Sequence, residues 1–157
     1  METSHPNVRA VQDVLDAAGA HGRVIMLDGE VRTAAAAAEA LGVQVGQIAN
    51  SLVFDAGGQP LLVLTSGAHR ADTAKLAALA GVPEVRRATP EFVRAHTGQP
   101  IGGVAPVGHP TPVRTLVDTA LAAYDEIWAA GGVPRALFPT TYTDLLRLTG
   151  GTPAVVA

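Results

Sequence analysis

The stretch "NSLVFDAGGQPLLVLTS", Asn50 to Ser66, decides the fold. Its two apolar runs, NSLVFD and QPLLVLTS, are separated by AGG, and a short glycine-rich break between two strand-like runs is the signature of a β-hairpin. A hairpin in the middle of the chain does not fit a strictly alternating parallel sheet. Upstream, Pro6 followed by Val8, Val11, Val14, Leu15 and Ala18 at helical spacing, with Gly19 behind them, predicts an amphipathic helix. RVIML reads as a buried strand closed by the turn DGE. Thr33 stands where it can cap the helix AAAAAEALG, which Gly42 stops.

Downstream, Asp72 caps TAKLAALAG, and TPEFVRAH opens with Thr89 as cap and Pro90 at the first helical position. PVRTLVD, EIWAA and RALFP read as strands. Thr141 with Asp144 reads as a capping box before YTDLLRLTGG. Paired strands with irregularly placed helices predict an α+β domain over residues 1–157: a curved sheet, mixed or mainly antiparallel, or a barrel, surrounded by helices.

With 48% apolar residues in a 157-residue chain there is enough material for one sizeable core. The absence of cysteine excludes disulfides, thiolate metal sites and cysteine nucleophiles, and it favours a reducing, cytoplasmic location. The N-terminus lacks a basic segment followed by an apolar run, and no stretch is long enough to span a bilayer, so the expectation is an unprocessed protein without a membrane partner. A formal charge of −3 provides no global attraction to nucleic acid, and DNA is not an expected partner. Local patches still decide phosphate binding. Arg70, Lys75, Arg86, Arg87 and Arg94 lie within one short span, which reads either as an RNA-contacting patch or, preferably, as a solvated charged face.

The five histidines show no pair at helical metal-ligand spacing, so no metal is expected. Ser51 and Ser66 lie in strand-like runs without the Gly-x-Ser-x-Gly elbow of a serine hydrolase. No nucleotide fingerprint is present, and no cofactor is expected. What stands out is "GQPIGGVAPVGHP", Gly98 to Pro110, whose glycines and prolines exceed what a connector needs. At Gly102 and Gly103 a substrate could approach the main chain, with peptide N–H groups holding an ester carbonyl or a developing oxyanion. A strand-to-strand loop packed on the core fits the same residues equally well, and periodicity does not decide between the two.

The ordered series TAAAAAEALGVQVGQIANSLVF, LLVLTSGAHRADTAKLAALAG, RRATPEFVRAHTGQPIGGVAPVGH, TLVDTAL and LFPTTYTDLLRLTGG, from about Thr33 to Gly151, resembles the YbaK-like family, free-standing relatives of the editing domain of bacterial prolyl-tRNA synthetases. The resemblance implies the curved sheet-and-helix fold and an aminoacyl-tRNA deacylase, which hydrolyses the ester of a mischarged small amino acid such as cysteine, alanine or proline. The implied partners are mischarged tRNA, through its 3′ aminoacyl-adenosine end, and an aminoacyl-tRNA synthetase. The family's GxxxP segment lines the amino-acid pocket and maps onto Gly102, Gly103, Val104, Ala105 and Pro106, with Gly108 and His109 beyond. Thr33 matches the threonine before the helix, Ser51 the hydroxyl of the KSL-type motif, and Asp118 the acid of the vDxaL segment.

Many relatives carry lysine where this chain has Asn50, which offers an amide hydrogen bond but no charge. Lys75, the one lysine of the chain, lies elsewhere and is no substitute. On this basis the Gly102 and Gly103 amides are expected to stabilise the oxyanion, Val104, Pro106 and His109 to size the pocket, and Asn50 and Ser51 to bind the adenosine end. His109 is read as a gate or hydrogen-bond donor in preference to a general base. Asp118 either attracts the substrate ammonium or caps TALAAY. The alternative reading is a non-catalytic aminoacyl-tRNA or synthetase-binding module that keeps the pocket without the lysine.

Overall fold

A computed structural model describes residues 5–157, so the first four residues of the expected domain and of its N-terminus lie outside it. The hairpin forms as β2 (Ile48–Ala56) and β3 (Gln59–Ser66) in antiparallel register, Ala56 opposite Gln59. Gly57 and Gly58 both hold positive φ, 64° and 92°, the conformation that a two-residue hairpin turn needs at both central positions.

Around the hairpin the described residues form one eight-stranded sheet. The order is β1 (Ile25–Met26), β7 (Ala136–Thr140), β6 (Ile127–Ala130), β2, β3, β5 (Arg114–Asp118) and β8 (Thr152–Ala154), while β4 (Val85–Arg87) pairs β2 off this path. The contacts of β2 with β6, β3 with β5, and β5 with β8 are parallel and the others antiparallel, so of the expected forms the sheet is the mixed one. Among the described residues no ladder joins β1 to β8, and the sheet stays open instead of closing into a barrel.

Among the described residues five α-helices cover the sheet: α1 (Pro6–Ala17), α2 (Ala34–Leu41), α3 (Thr73–Ala80), α4 (Pro90–Thr97) and α5 (Tyr142–Thr149). Their ends follow local chemistry. Thr33, Asp72, Thr89 and Thr141 accept first-turn N–H groups, and Gly42, Gly81, Gly98 and Gly150 close the helices in the left-handed conformation. The box at Thr141 is half of what its pattern predicts. Thr141 Oγ1 accepts from the Asp144 amide at 3.1 Å, but the Asp144 carboxylate turns to Arg147 Nη2 at 3.2 Å.

The sheet edges depart from what the sequence predicts. RVIML, expected as a buried strand, pairs only through Ile25 and Met26, against β7, and Ile25 is exposed because the strand lies at the sheet edge. The short strands β4 and β8 carry no apolar alternation: one is Val-Arg-Arg, and the other contains Pro153, tolerated because β8 is an edge strand. The central strands are covered on both faces. Val8, Val11 and Leu15 of α1 pack with Leu62, Leu64, Val117, Phe138 and Leu145 on one side; Phe54, Leu61, Val63 and Leu116 meet Leu76 on the other. Burial on both faces is why QPLLVLTS is a nearly continuous apolar run. Among the described residues no helix is long and apolar enough to cross a membrane.

Candidate functional site

On the edge away from β3, β2 pairs with β6 at Ile48 and Ala49 and with β4 from Phe54 to Ala56. Among the described residues, 50–53 between them have no strand neighbour on that edge. A cavity of about 60 Å³ is lined by Ser51, Leu52, Val53 and Phe54 of this stretch. Arg87 and Ala88, Val93 of α4, and Ile101, Gly102 and Val104 of the glycine-proline loop complete it. That volume exceeds the roughly 10–15 Å³ a single water needs and suits a small side chain. Arg87 is exposed and is the one cationic residue among those lining the cavity.

The loop is clamped from within. Gln99, 1% exposed, accepts the Ala105 N–H at Oε1 (2.7 Å) and donates from Nε2 to the Val107 carbonyl (3.3 Å). Thr97 Oγ1 accepts the Gln99 amide at 3.0 Å and donates to carbonyl oxygen. The two adjacent glycines then do different things. Gly102, at φ +87°, lies under Arg32, whose Cγ would stand 3.0 Å from an added Cβ and whose Nη1 donates to the Ile101 carbonyl at 3.1 Å. Gly103 turns its Cα toward the Val133–Pro134 backbone, and its N–H is spent on the Pro100 carbonyl at 3.0 Å. Among the described residues the Gly102 and Val104 amides have no hydrogen-bond partner. Of the two amides expected as donors, that of Gly103 is therefore already occupied, and that of Gly102 is unbonded.

Of the residues expected at the site, Ser51, Gly102 and Val104 come together around the cavity. Ala105 is buried and bonded to Gln99, and Gly108 lies against α1, where an added Cβ would sit 3.3 Å from the Val11 nitrogen. Pro106 and His109 line a separate cavity of about 220 Å³ beside Val14 of α1 and Leu148 of α5. Thr33 spends its hydroxyl oxygen on the Ala36 amide (3.1 Å), though its neighbour Arg32 covers Gly102. Asn50, on the opposite face of β2 from Ser51 by strand alternation, is half-buried, and its side-chain amide is unbonded among the described residues.

Asp118 is a structural anchor away from the cavity. It is 1% exposed; Oδ1 accepts the Ala120 N–H at 3.0 Å, and Oδ2 accepts the Ser66 N–H at 3.0 Å and lies 2.9 Å from His69 Nδ1. The cap reading of this residue therefore accounts for its geometry. Arg32, Gln99 and His69 were not singled out by any motif. Gln99 carried one usable signal, as a lone amide side chain inside a glycine-proline run.

His109 Nε2 lies 2.8 Å from the Ala105 carbonyl oxygen, which only accepts, so Nε2 carries the proton. Burial lowers the ring's pKa from its ordinary 6.5, and the bond to Ala105 offsets this only in part. With the folded pKa depressed, the unfolded chain takes up the proton first as pH falls. Stability is therefore complete above about 6.5 and declines below it until the folded ring also protonates. His109→Gln is expected to remove this part of the acid dependence, measured as urea midpoints across pH 5–8.

A family model described as the aminoacyl-tRNA editing domain matches residues 28–148. The chain is 32% identical over 124 residues to a proline–tRNA ligase of Nitratidesulfovibrio vulgaris, with 72% of this chain and 21% of the ligase covered. It thus spans about a fifth of the length of that relative. It is 31% identical over 110 residues to the protein YwhH of Bacillus subtilis, covering 69% of each. A crystal structure of a proposed trans-editing enzyme for prolyl-tRNA synthetase superposes with a TM-score of 0.90 at 48% identity over 97% of both chains. With sequence and fold in agreement over most of its length, the chain belongs to the aminoacyl-tRNA editing domain family.

Proposed function

We propose that this protein is a trans-acting aminoacyl-tRNA deacylase that removes a small, wrongly attached amino acid from the 3′ adenosine of a tRNA. The observation that carries the reading is the cavity at the gap in the β2 edge, lined by Gly102 and Val104, whose amides have no hydrogen-bond partner among the described residues. The similarity to a proposed trans-editing enzyme supports a free-standing rather than synthetase-embedded role.

The ester is already activated, so the protein need not supply a nucleophile. Water adds to the ester carbonyl carbon, oriented by the neighbouring ribose hydroxyl. The two free amides stabilise the oxyanion as it develops, each donor contributing roughly 2.7–4 kcal/mol of transition-state stabilisation. The carbon–oxygen bond to the ribose then breaks and the ribose oxygen takes up a proton, releasing the free amino acid. Leu52, Val53, Val93 and Val104 limit the side chain that fits. Arg87 supplies positive charge at the cavity where Asn50 has none.

The test is a deacylation panel of tRNAs carrying different small amino acids. Wild type is expected to hydrolyse at least one ester, and His109→Ala to retain that hydrolysis, because the ring lies in a different cavity. Asn50→Lys is expected to tighten tRNA binding, with a steeper salt dependence. If no ester in the panel is turned over, the deacylase reading falls and the binding-module alternative replaces it.

A further inference from the structure

Val93 of α4 and Val104 of the glycine-proline loop both line the cavity, and a chain of hydrogen bonds links them. Thr97 Oγ1 donates to the Val93 carbonyl at 2.7 Å and accepts the Gln99 amide at 3.0 Å. Gln99 Oε1 in turn accepts the Ala105 N–H at 2.7 Å, and that N–H shares a peptide unit with the Val104 carbonyl. From the same carboxamide, Nε2 donates to the Val107 carbonyl at 3.3 Å. Residues 104–107 are buried but belong to no strand or helix, so their polar groups have no ladder to join. One side chain with an acceptor and a donor on a rigid plane serves two of them at once.

Fixing the peptide unit between 104 and 105 fixes the chain that carries the Val104 amide, which has no partner of its own among the described residues. The Ala105 carbonyl, 2.8 Å from His109 Nε2, belongs to the next unit, where the Pro106 ring already restrains the backbone. His109 thus anchors the far side of Ala105 and Gln99 the near side. We propose that Gln99 is a positioning residue for the hydrolysis, holding the Val104 amide at the spacing from the Gly102 amide that the developing oxyanion requires. The proposal rests on reading the cavity as the deacylation site. Gln99 is 1% exposed and spends its polar atoms on the loop, so it acts through Val104 without touching substrate. Such a residue changes the rate of the chemical step more than the binding of the ester, because donors aimed at an oxyanion count most in the transition state.

Two substitutions separate positioning from packing. Gln99→Met fills nearly the same volume and makes neither bond. Gln99→Glu keeps the shape, and burial favours its neutral form, which again offers one acceptor and one donor. The experiment measures kcat and KM on an ester that wild type hydrolyses, with folding checked by thermal melting, and hydrogen exchange at the Ala105 amide. Gln99→Met is expected to lower kcat by about tenfold or more with KM within about twofold, while Gln99→Glu stays closer to wild type. A side chain that only fills space gives the reverse order, since methionine suits a buried position better than glutamate. That order, or an unchanged kcat in folded Gln99→Met, overturns the proposal. In wild type the Ala105 amide is expected to exchange only as fast as the whole domain unfolds, and rapid exchange there overturns the proposal even if Gln99→Met does not fold. If wild type hydrolyses no ester, the deacylase reading fails, and exchange at Ala105 in wild type and Gln99→Met still decides whether Gln99 fixes this wall.

Discussion

Gly103→Val is expected to cost about 3 kcal/mol or more in folding stability, read as a drop in the urea midpoint or as failure to fold at all. A Cβ at 103 would stand 2.5 Å from the Val133 carbonyl carbon and 2.7 Å from the Pro134 nitrogen. These are backbone atoms, so no rotamer relieves the overlap. The loop that carries them is fixed on its other side: Val31 N–H donates to the Pro134 carbonyl at 3.0 Å, Ala136 to Val133 at 3.0 Å, and Gly131 to Ala136 at 2.8 Å. Gly102→Ala is a milder change of another kind. Its φ of +87° strains any residue with a Cβ, by roughly 1–2 kcal/mol, while the nearest atom is Cγ of the exposed, flexible Arg32 side chain. A Gly103→Val protein that melts with wild type would show that the loop at 131–134 does not press on residue 103.

The contrast between these neighbours explains which parts of the molecule could be read in advance. Helix ends were legible because a cap and its amide are two or three residues apart, as with Thr33 and Ala36, Asp72 and Ala74, or Thr89 and Phe92. The hairpin was legible for the same reason, since two glycines and the runs beside them contain all the information its register needs. The glycine-proline loop could be recognised as unusual but not resolved residue by residue. Which glycine borders a void and which borders backbone depends on Arg32 and Val133, distant in sequence and without a motif. Strands β4 and β8 escaped for a related reason: their pairing with β2 and β5 is long-range, and three-residue edge strands need no apolar pattern. The gap in the β2 edge, which makes the candidate site, is a property of where two other strands stop.

Asp118→Ala is the second large effect, expected to lower stability by about 3 kcal/mol or more. The carboxylate joins the end of β3 to the end of β5. It takes the Ser66 amide from one and the Ala120 amide of the following 3-10 turn, Thr119–Ala123, from the other. Truncation leaves both N–H groups in the interior without an acceptor and removes the partner of His69, whereas His69→Ala, at a side chain 41% exposed, gives up little. Asp118→Asn keeps the shape and one acceptor oxygen, so it is expected to lie between wild type and Asp118→Ala in urea denaturation. The same variant separates anchoring from substrate binding. A carboxylate that only holds the sheet end together leaves folded Asp118→Asn able to hydrolyse the ester with an unchanged KM, because its contacts lie away from the cavity beside Ser51. A carboxylate that grips the α-ammonium gives the opposite pattern, with near-normal stability and a sharply raised KM, and that result would return Asp118 to the substrate site.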